Sequence, residues 1–233
     1  MEKYNQVCIN TESDGSGMTD HDLFKQNLPV FMEDYNEPFQ MAGIGCTLFK
    51  DSRKSPSSRF YIEFSENTGT VLEYALFWHY DIQHLYDLEH VFLYLDHSGS
   101  VIDIVSSFHG KFYRQSDPEF KDGRPVLYIQ PGKHAIMAHP EYFRLFVDFH
   151  ECCNKKAGTD GVLIPDFLCD RLSKTENDDR LTEQYIKDKF SFAPSENYRP
   201  AKIPELITDW PGLKDYIVSS VNKELSVIRG GSY

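Results

Sequence analysis

Apolar positions recur with period two through most of the first two thirds of the chain and with helical spacing in the last third. In residues 59–65 (RFYIEFS), Phe60, Ile62 and Phe64 take one face and Tyr61 and Glu63 the other, which predicts a half-buried strand. Residues 70–80 are apolar almost throughout, the pattern of a strand covered on both faces. The turn residues Glu66-Asn67-Thr68-Gly69 lie between them and predict a hairpin. Residues 88–96 and 101–108 predict a second hairpin, closed at Asp96-His97-Ser98-Gly99. Three further strands are expected over residues 29–33, 41–50 and 125–130, the second with two glycines that point to a bulge. Residues 81–86 read as a connection and 111–124 as a long polar loop. Strands at this density, joined by hairpin turns, predict an antiparallel β-sandwich or barrel rather than alternating βαβ units.

The helical signals are fewer. Residues 21–27 predict a short helix with Thr19 or Asp20 as its cap. Residues 141–150 fit a helix or a strand, and residues 161–165 form a short apolar run. Residues 178–190 carry Leu181, Tyr185, Ile186 and Lys189 at helical intervals. Trp210-Pro211 is expected to open the last helix, with proline in its first turn. There Leu213, Tyr216, Ile217, Val221, Leu225 and Ile228 form a stripe suited to docking on a β core. The expected chain is mainly β (α+β). A flexible N-terminal arm (1–20) precedes a β-sandwich domain (21–175), and C-terminal helices (176–233) pack on the sandwich as an extension of the same domain.

Charge changes the list of partners. The 233 residues hold 36 acids against 24 Lys and Arg, a formal net charge of −12. That disfavours nucleic acid and anionic lipid as partners. No run approaches the roughly 18 apolar residues of a transmembrane segment. The opening residues lack the basic and apolar regions of a signal peptide, so a cytoplasmic location is expected. Cys8, Cys46, Cys152, Cys153 and Cys169 are odd in number and irregularly spaced, which favours reduced thiols. Adjacent Cys152 and Cys153 are not expected to bridge each other readily. A Cys152 or Cys153 link to Cys169 is the alternative for a protein exported by another route.

One stretch stands out chemically. Residues 74–110 are apolar and aromatic, yet hold five of the nine histidines (His79, His84, His90, His97, His109) together with Asp81, Asp87 and Glu89. Such groups are costly to bury without partners. Asp87 and Glu89, two apart, share one face of a strand start. His84 precedes them in the connection, and Asp81 ends the preceding strand. One imidazole with two or three carboxylates suits a divalent cation: Ca²⁺, Mg²⁺ or Mn²⁺ for the carboxylates, Mn²⁺, Fe²⁺ or Zn²⁺ once histidine is added. The plainer reading, in which Asp87 and Glu89 accept backbone bonds or pair with Lys or Arg, stands beside it. His109 and His134 follow later strands at turns and are candidates for acid–base work or added ligation. His90 points away from Glu89. Trp78 and Tyr80 are candidates for an aromatic platform or for core packing.

Several segments together resemble a known group. YALFWHYDIQHLYDLEHVFLYLD, NLPVFMEDYNEPF, GIGCTLF, SSFHG, PVLYIQPGKHA and AGTDGVLIP, spread over residues 21–171, resemble an uncharacterised bacterial family with a Trp-Asp-Ile-x-His-Leu-Tyr-Glu-Leu-Glu-His run. More remotely, DLEHV resembles the Asp-Trp-Glu-His-Val signature of the vacuolar protein sorting-associated proteins of fungi and plants, and PGKHA resembles their Gly-x-His-Ala segment. The same signature is similar to the Gly-His-Arg-His-Asp-Trp-Glu motif of the necrosis- and ethylene-inducing toxins, which supplies divalent-metal ligands on a β-sandwich. The resemblance implies metal ligands at His84, Asp87 and Glu89, with Asp81 as the counterpart of a further aspartate. Leu88 stands where the signature has tryptophan, and Leu85 and Tyr86 replace the Arg-His pair of the toxin motif.

Three functions follow as expectations. The first is a divalent-metal site at Asp81, His84, Asp87 and Glu89, with metal-assisted hydrolysis of an ester, phosphoester or glycoside and with His109 and His134 as acid–base groups. The second is a non-catalytic module for a small molecule, sugar or lipid headgroup held against Trp78 or Tyr80. The third is a structural or interaction protein whose cluster is a hydrogen-bond network.

Overall fold

The apolar run at residues 70–80 becomes the central strand of the larger sheet, because both of its faces have something to bury against. The computed structural model describes residues 19–145 and 148–231. The expected N-terminal arm falls almost wholly on residues 1–18, outside the described residues. The strands are β1 (Val30–Asp34), β2 (Met41–Phe49), β3 (Arg53–Lys54), β4 (Tyr61–Ile62), β5 (Thr70–Tyr80), β6 (His84–Leu95), β7 (Val101–Phe108), β8 (Lys111–Arg114), β9 (Phe120–Lys121), β10 (Arg124–Ile129), β11 (Ile136–Met137), β12 (Gly161–Val162), β13 (Tyr198–Pro200) and β14 (Ile207–Asp209). The helices are α1 (Asp20–Asn27), α2 (Phe149–Cys152), α3 (Glu176–Phe190) and α4 (Trp210–Gly230), with 3₁₀ turns at Pro140–Leu145 and Asp166–Leu168.

Two sheets make the sandwich. The larger runs β14-β2-β5-β6-β7-β8, with β12 beside β6, and the smaller runs β11-β10-β1-β13, with β9 beside β10. Most pairs are antiparallel, but β1–β10, β12–β6 and β14–β2 are parallel. One face of β5 and β6 carries Leu72, Tyr74, Leu76 and Trp78 into the main core, where Phe31, Leu127, Ile129 and Ile136 of the smaller sheet belong to the same buried cluster. The opposite face is covered by α4 at one end and by residues 51–64 at the other. Phe49, Ile62, Val71, Phe92, Tyr94 and Val105 make a separate buried cluster under that second cover.

The hairpin expected between residues 59–65 and 70–80 does not form. β4 pairs with β3, while β5 lies between β2 and β6. Gly69 donates its N–H to Leu95 O (2.8 Å), which commits the start of β5 to the β6 hairpin instead. That β5–β6 hairpin starts earlier than expected: His84 is the first residue of β6, not part of a connection. The polar segment after β7 folds back as β8 rather than remaining a loop. The described residues of the ambiguous 141–150 region fall in the 3₁₀ turn, ending at Leu145, and in the start of the short α2.

The helical expectations hold. Thr19 caps α1, accepting from Asp22 N–H while Asp22 accepts from Thr19 N–H, a capping box. Asp209 caps α4, accepting from Gly212 N–H at 2.8 Å. Leu213, Ile217, Val221, Leu225 and Ile228 are buried, so the α4 stripe docks on the sheet. Glycine makes that approach possible. A Cβ at Gly45 would lie 2.8 Å from Leu213 Cδ2, and one at Gly43 2.9 Å from Leu213 Cδ1. No helix among the described residues is long and apolar enough to cross a membrane.

Candidate functional site

Pairing of β5 with β6 puts Trp78 opposite Asp87 and Leu76 opposite Glu89, on the face that meets the smaller sheet. The strand pleat therefore aims both carboxylates into the main core. The loop after β10, residues 131–134, is tied to the tip of the β5–β6 hairpin, because Ile82 donates its N–H to Gly132 O at 2.7 Å. That loop delivers Lys133 and His134 to the carboxylates.

His134 lies at the centre. Its ring stacks on Trp78 with centroids 4.4 Å apart and planes 1° from parallel. Its side chain is fully buried, as is Glu37, whereas Asp87 keeps a small exposed edge. Nδ1 donates to Asp87 Oδ2 at 3.0 Å. Nε2 lies 3.6 Å from Glu37 Oε1, an ion-pair distance longer than a hydrogen bond. Burial opposes the ring's charge. The bond to Asp87, together with the nearby charge of Glu37, outweighs burial and pushes its pKa up to about 10. Glu37 is itself fixed by Gly132 N–H (2.7 Å) and Phe39 N–H (3.1 Å).

The other acids pair off separately. Asp81 Oδ2 meets Lys133 Nζ at 2.7 Å and His84 Nε2 at 3.6 Å, and its Oδ1 accepts from Gln83 N–H at 2.6 Å. Burial works against its ionisation, but His84 and Lys133 hold its pKa below the usual carboxylate range. Glu89 accepts from the Ser107 hydroxyl and from His109 N–H (3.4 Å). Burial, and then the charge of Asp87, push its pKa up to about 8, so it carries a proton at neutral pH. His109 donates Nε2–H to Gln130 Oε1 at 3.1 Å in a part-buried bond, and desolvation plus the charge of Lys133 lower its pKa.

Three strained backbones cluster here. Tyr86 (φ 56°), His109 (φ 49°) and His134 (φ 54°) are all left-handed without being glycine. Such residues cost roughly 1–3 kcal/mol each and persist only where the surroundings over-determine them.

The structure therefore brings Asp81, His84, Asp87, Glu89, His109 and His134 to one end of the sandwich, but as three separate pairings. Among the described residues no group of three or more His, Cys, Asp or Glu side chains is arranged to hold a metal ion. Asp81, expected as a fourth ligand, is occupied by Lys133. Trp78 and Tyr80 are buried, Trp78 under His134 and Tyr80 with its hydroxyl donating to Glu224 (2.5 Å), which is the core-packing alternative and not the ligand platform.

A second polar cluster lies on the other face of the same strands. Glu73 is buried and accepts from the hydroxyls of Ser55 (2.7 Å) and Ser57. His90, which points away from Glu89 as expected, is buried with Nε2 unpartnered. Burial pushes its pKa down to about 4, against the pull of the Ser57 backbone bond, so the ring is neutral.

Glu37, Lys133, Ser107 and Gln130 were not among the expected site residues. Glu37 carries one sequence signal, an acid inside the turn Asn36-Glu37-Pro38. Lys133 sits beside a histidine just after Pro131-Gly132. The cysteines Cys46, Cys152, Cys153 and Cys169 are all free, so the alternative Cys169 link is not made. No protein-family model matches the sequence, and no curated protein or solved structure matches it either.

Proposed function

We propose that the chain is a non-catalytic interaction or binding protein, and that its histidine–carboxylate cluster is a structural ion network. The observation that carries this reading is the enclosure of His134. Its imidazolium is stacked on Trp78, bonded to Asp87, faced by Glu37 and wholly removed from solvent. A group so enclosed does not reach a substrate. It does hold the 131–134 loop against β6 through its bond to Asp87. Removing one partner of such a buried pair is strongly destabilising. Asp87→Asn is therefore expected to lower the melting temperature, with Ca²⁺, Mg²⁺, Mn²⁺ and Zn²⁺ leaving the wild-type value unchanged. A melting temperature indifferent to Asp87→Asn would sink this reading. Glycan, lipid and protein arrays would then identify the ligand.

A second reading keeps Asp81, His84, Asp87 and Glu89 as ligands of a divalent cation. Its support is the Asp87–Glu89 pair: two carboxylates on one face, one kept protonated first by burial and then by the other's charge, form a site that a cation would relieve. The present pairings do not form a ligand set. Metal analysis of protein purified without added ions separates the two readings, with stoichiometric metal lost in a His84→Ala, Asp87→Ala double variant favouring this one. Hydrolysis of an ester, phosphoester or glycoside is the chemistry such a cation would supply.

A further inference from the structure

The adjacent cysteines behind the 131–134 loop are closer than their position in sequence led one to expect. Cys152 ends α2 and Cys153 follows it, and both are buried. Their sulfurs are 3.5 Å apart. The single Cys153 thiol hydrogen faces both Cys152 Sγ and Pro131 O, the latter at 3.3 Å, and the Cys152 sulfur lies 3.2 Å from Phe149 O. The pair touches the loop that carries Lys133 and His134 directly: a Cβ at Gly132 would lie 3.0 Å from Cys153 Sγ.

We propose that Cys152 and Cys153 are a reversible oxidation site, a vicinal dithiol that peroxide closes to a disulfide. The two thiols differ in the required sense. Cys152 is eased towards thiolate, first by the bond from the Cys153 thiol and also by the charge of Lys133, although burial opposes it. Cys153 is held as the thiol. Cys152 attacks one oxygen of hydrogen peroxide. The O–O bond breaks, hydroxide leaves and takes up a proton as water, and Cys152 becomes a sulfenic acid. Cys153 then loses its proton, its sulfur displaces the hydroxyl, and a second water leaves as the S–S bond forms. Two thiols and one peroxide give one disulfide and two waters, with two electrons passing from sulfur to oxygen. Burial selects the oxidant. Both sulfurs are buried, so the expected oxidant is one as small as peroxide and not a bulky glutathione disulfide, and the resolving sulfur lies 3.5 Å away. Adjacent Cα atoms are about 3.8 Å apart, shorter than the usual disulfide span of about 4.4–6.8 Å, so the closed bond is strained and easily reduced. Closure also withdraws the Cys153 thiol from Pro131 O, which loosens the 131–134 loop.

The test is peroxide treatment of the wild-type protein followed by mass analysis of the peptide spanning both cysteines. The expected product is two hydrogens lighter, is restored by dithiothreitol, and does not form with glutathione disulfide, which modifies the exposed Cys169 instead. In Cys153→Ser, dimedone is expected to trap a sulfenic acid on Cys152. In a Trp210→Phe background, Trp78 emission is expected to change on oxidation and recover on reduction. A peptide that stays fully reduced, or that goes directly to sulfinic and sulfonic acids, overturns the site. A disulfide that forms without any change in Trp78 emission overturns its effect on the loop.

Discussion

His134 and His90 are buried on opposite faces of the same β5–β6 hairpin, and they hold opposite charge states. His134 lies between Asp87 and Glu37 on the core side and is driven up to about 10. His90 on the other side is driven down to about 4 by burial, with only the Ser57 backbone bond and the charge of Asp87 opposing it. Burial pushes both rings towards neutrality; carboxylates within reach decide the outcome for only one. The acids follow the same logic. Asp87 is bonded to the imidazolium, whereas Glu89 and Glu73 are bonded by hydroxyls and have raised pKa values. Identical residue types are thus charged where an acid and an imidazole meet and neutral where only hydroxyl or backbone groups bond them.

The largest expected effect comes from breaking the clamp. Asp87→Asn should cost about 3–5 kcal/mol, because it leaves a buried imidazolium without its closest acid. His90→Leu should cost only about 1 kcal/mol, the value of one neutral hydrogen bond. Denaturant unfolding at pH 7 measures both, and equal costs would erase the distinction between the faces.

The pH dependence of stability comes next. The folded protein binds the His134 proton more tightly than the unfolded chain, whose ordinary value is 6.5. Its contribution is complete below pH 6.5 and is lost as pH rises through about 10. Glu89 acts in the same direction, complete below 4.5 and lost as pH rises through about 8. His90 has the opposite sign: its contribution is present above pH 6.5 and lost as pH falls through about 4. Chemical denaturation from pH 4 to 10 should therefore show an alkaline limb that flattens in His134→Gln and an acid limb that shrinks in His90→Gln. Limbs unaffected by those variants would break the assignment.

The smallest effect sharpens the comparison. Glu89 is already neutral, so Glu89→Gln should cost less than about 1 kcal/mol at pH 7. A cost matching that of Asp87→Asn would mean that Glu89 is ionised and that a cation or another positive group faces it.

How much of this was legible can be judged from individual residues. β5 was, because an uninterrupted apolar run has one simple explanation, a strand covered on both faces. Its partners were not. Alternation reports which side is buried and says nothing of which strand lies alongside, so residues 59–65 were paired with β5 when β2 was the true neighbour. The parallel pairing of β1 with β10 joins strands far apart in sequence and leaves no local trace. At the site, the 81–90 acids and histidines were visible as an excess of polar groups in an apolar stretch. What they bind was decided elsewhere, by Glu37 in a turn and by Lys133 and His134 in a loop. Period-two reasoning placed Glu89 and His90 on opposite faces, but it could not foresee that Asp87 would meet an imidazole while Glu89 and Glu73 meet only hydroxyl and backbone donors.

The central claim is that His134 is a buried imidazolium clamped between Asp87 and Glu37. Imidazole carbon and nitrogen chemical shifts of His134, followed by NMR from pH 5 to 10, test it most directly. The account predicts a ring that stays doubly protonated through pH 8 and begins to lose its proton only as pH approaches 10. A His134 ring that is neutral at pH 7, or that titrates near 6.5, would contradict it.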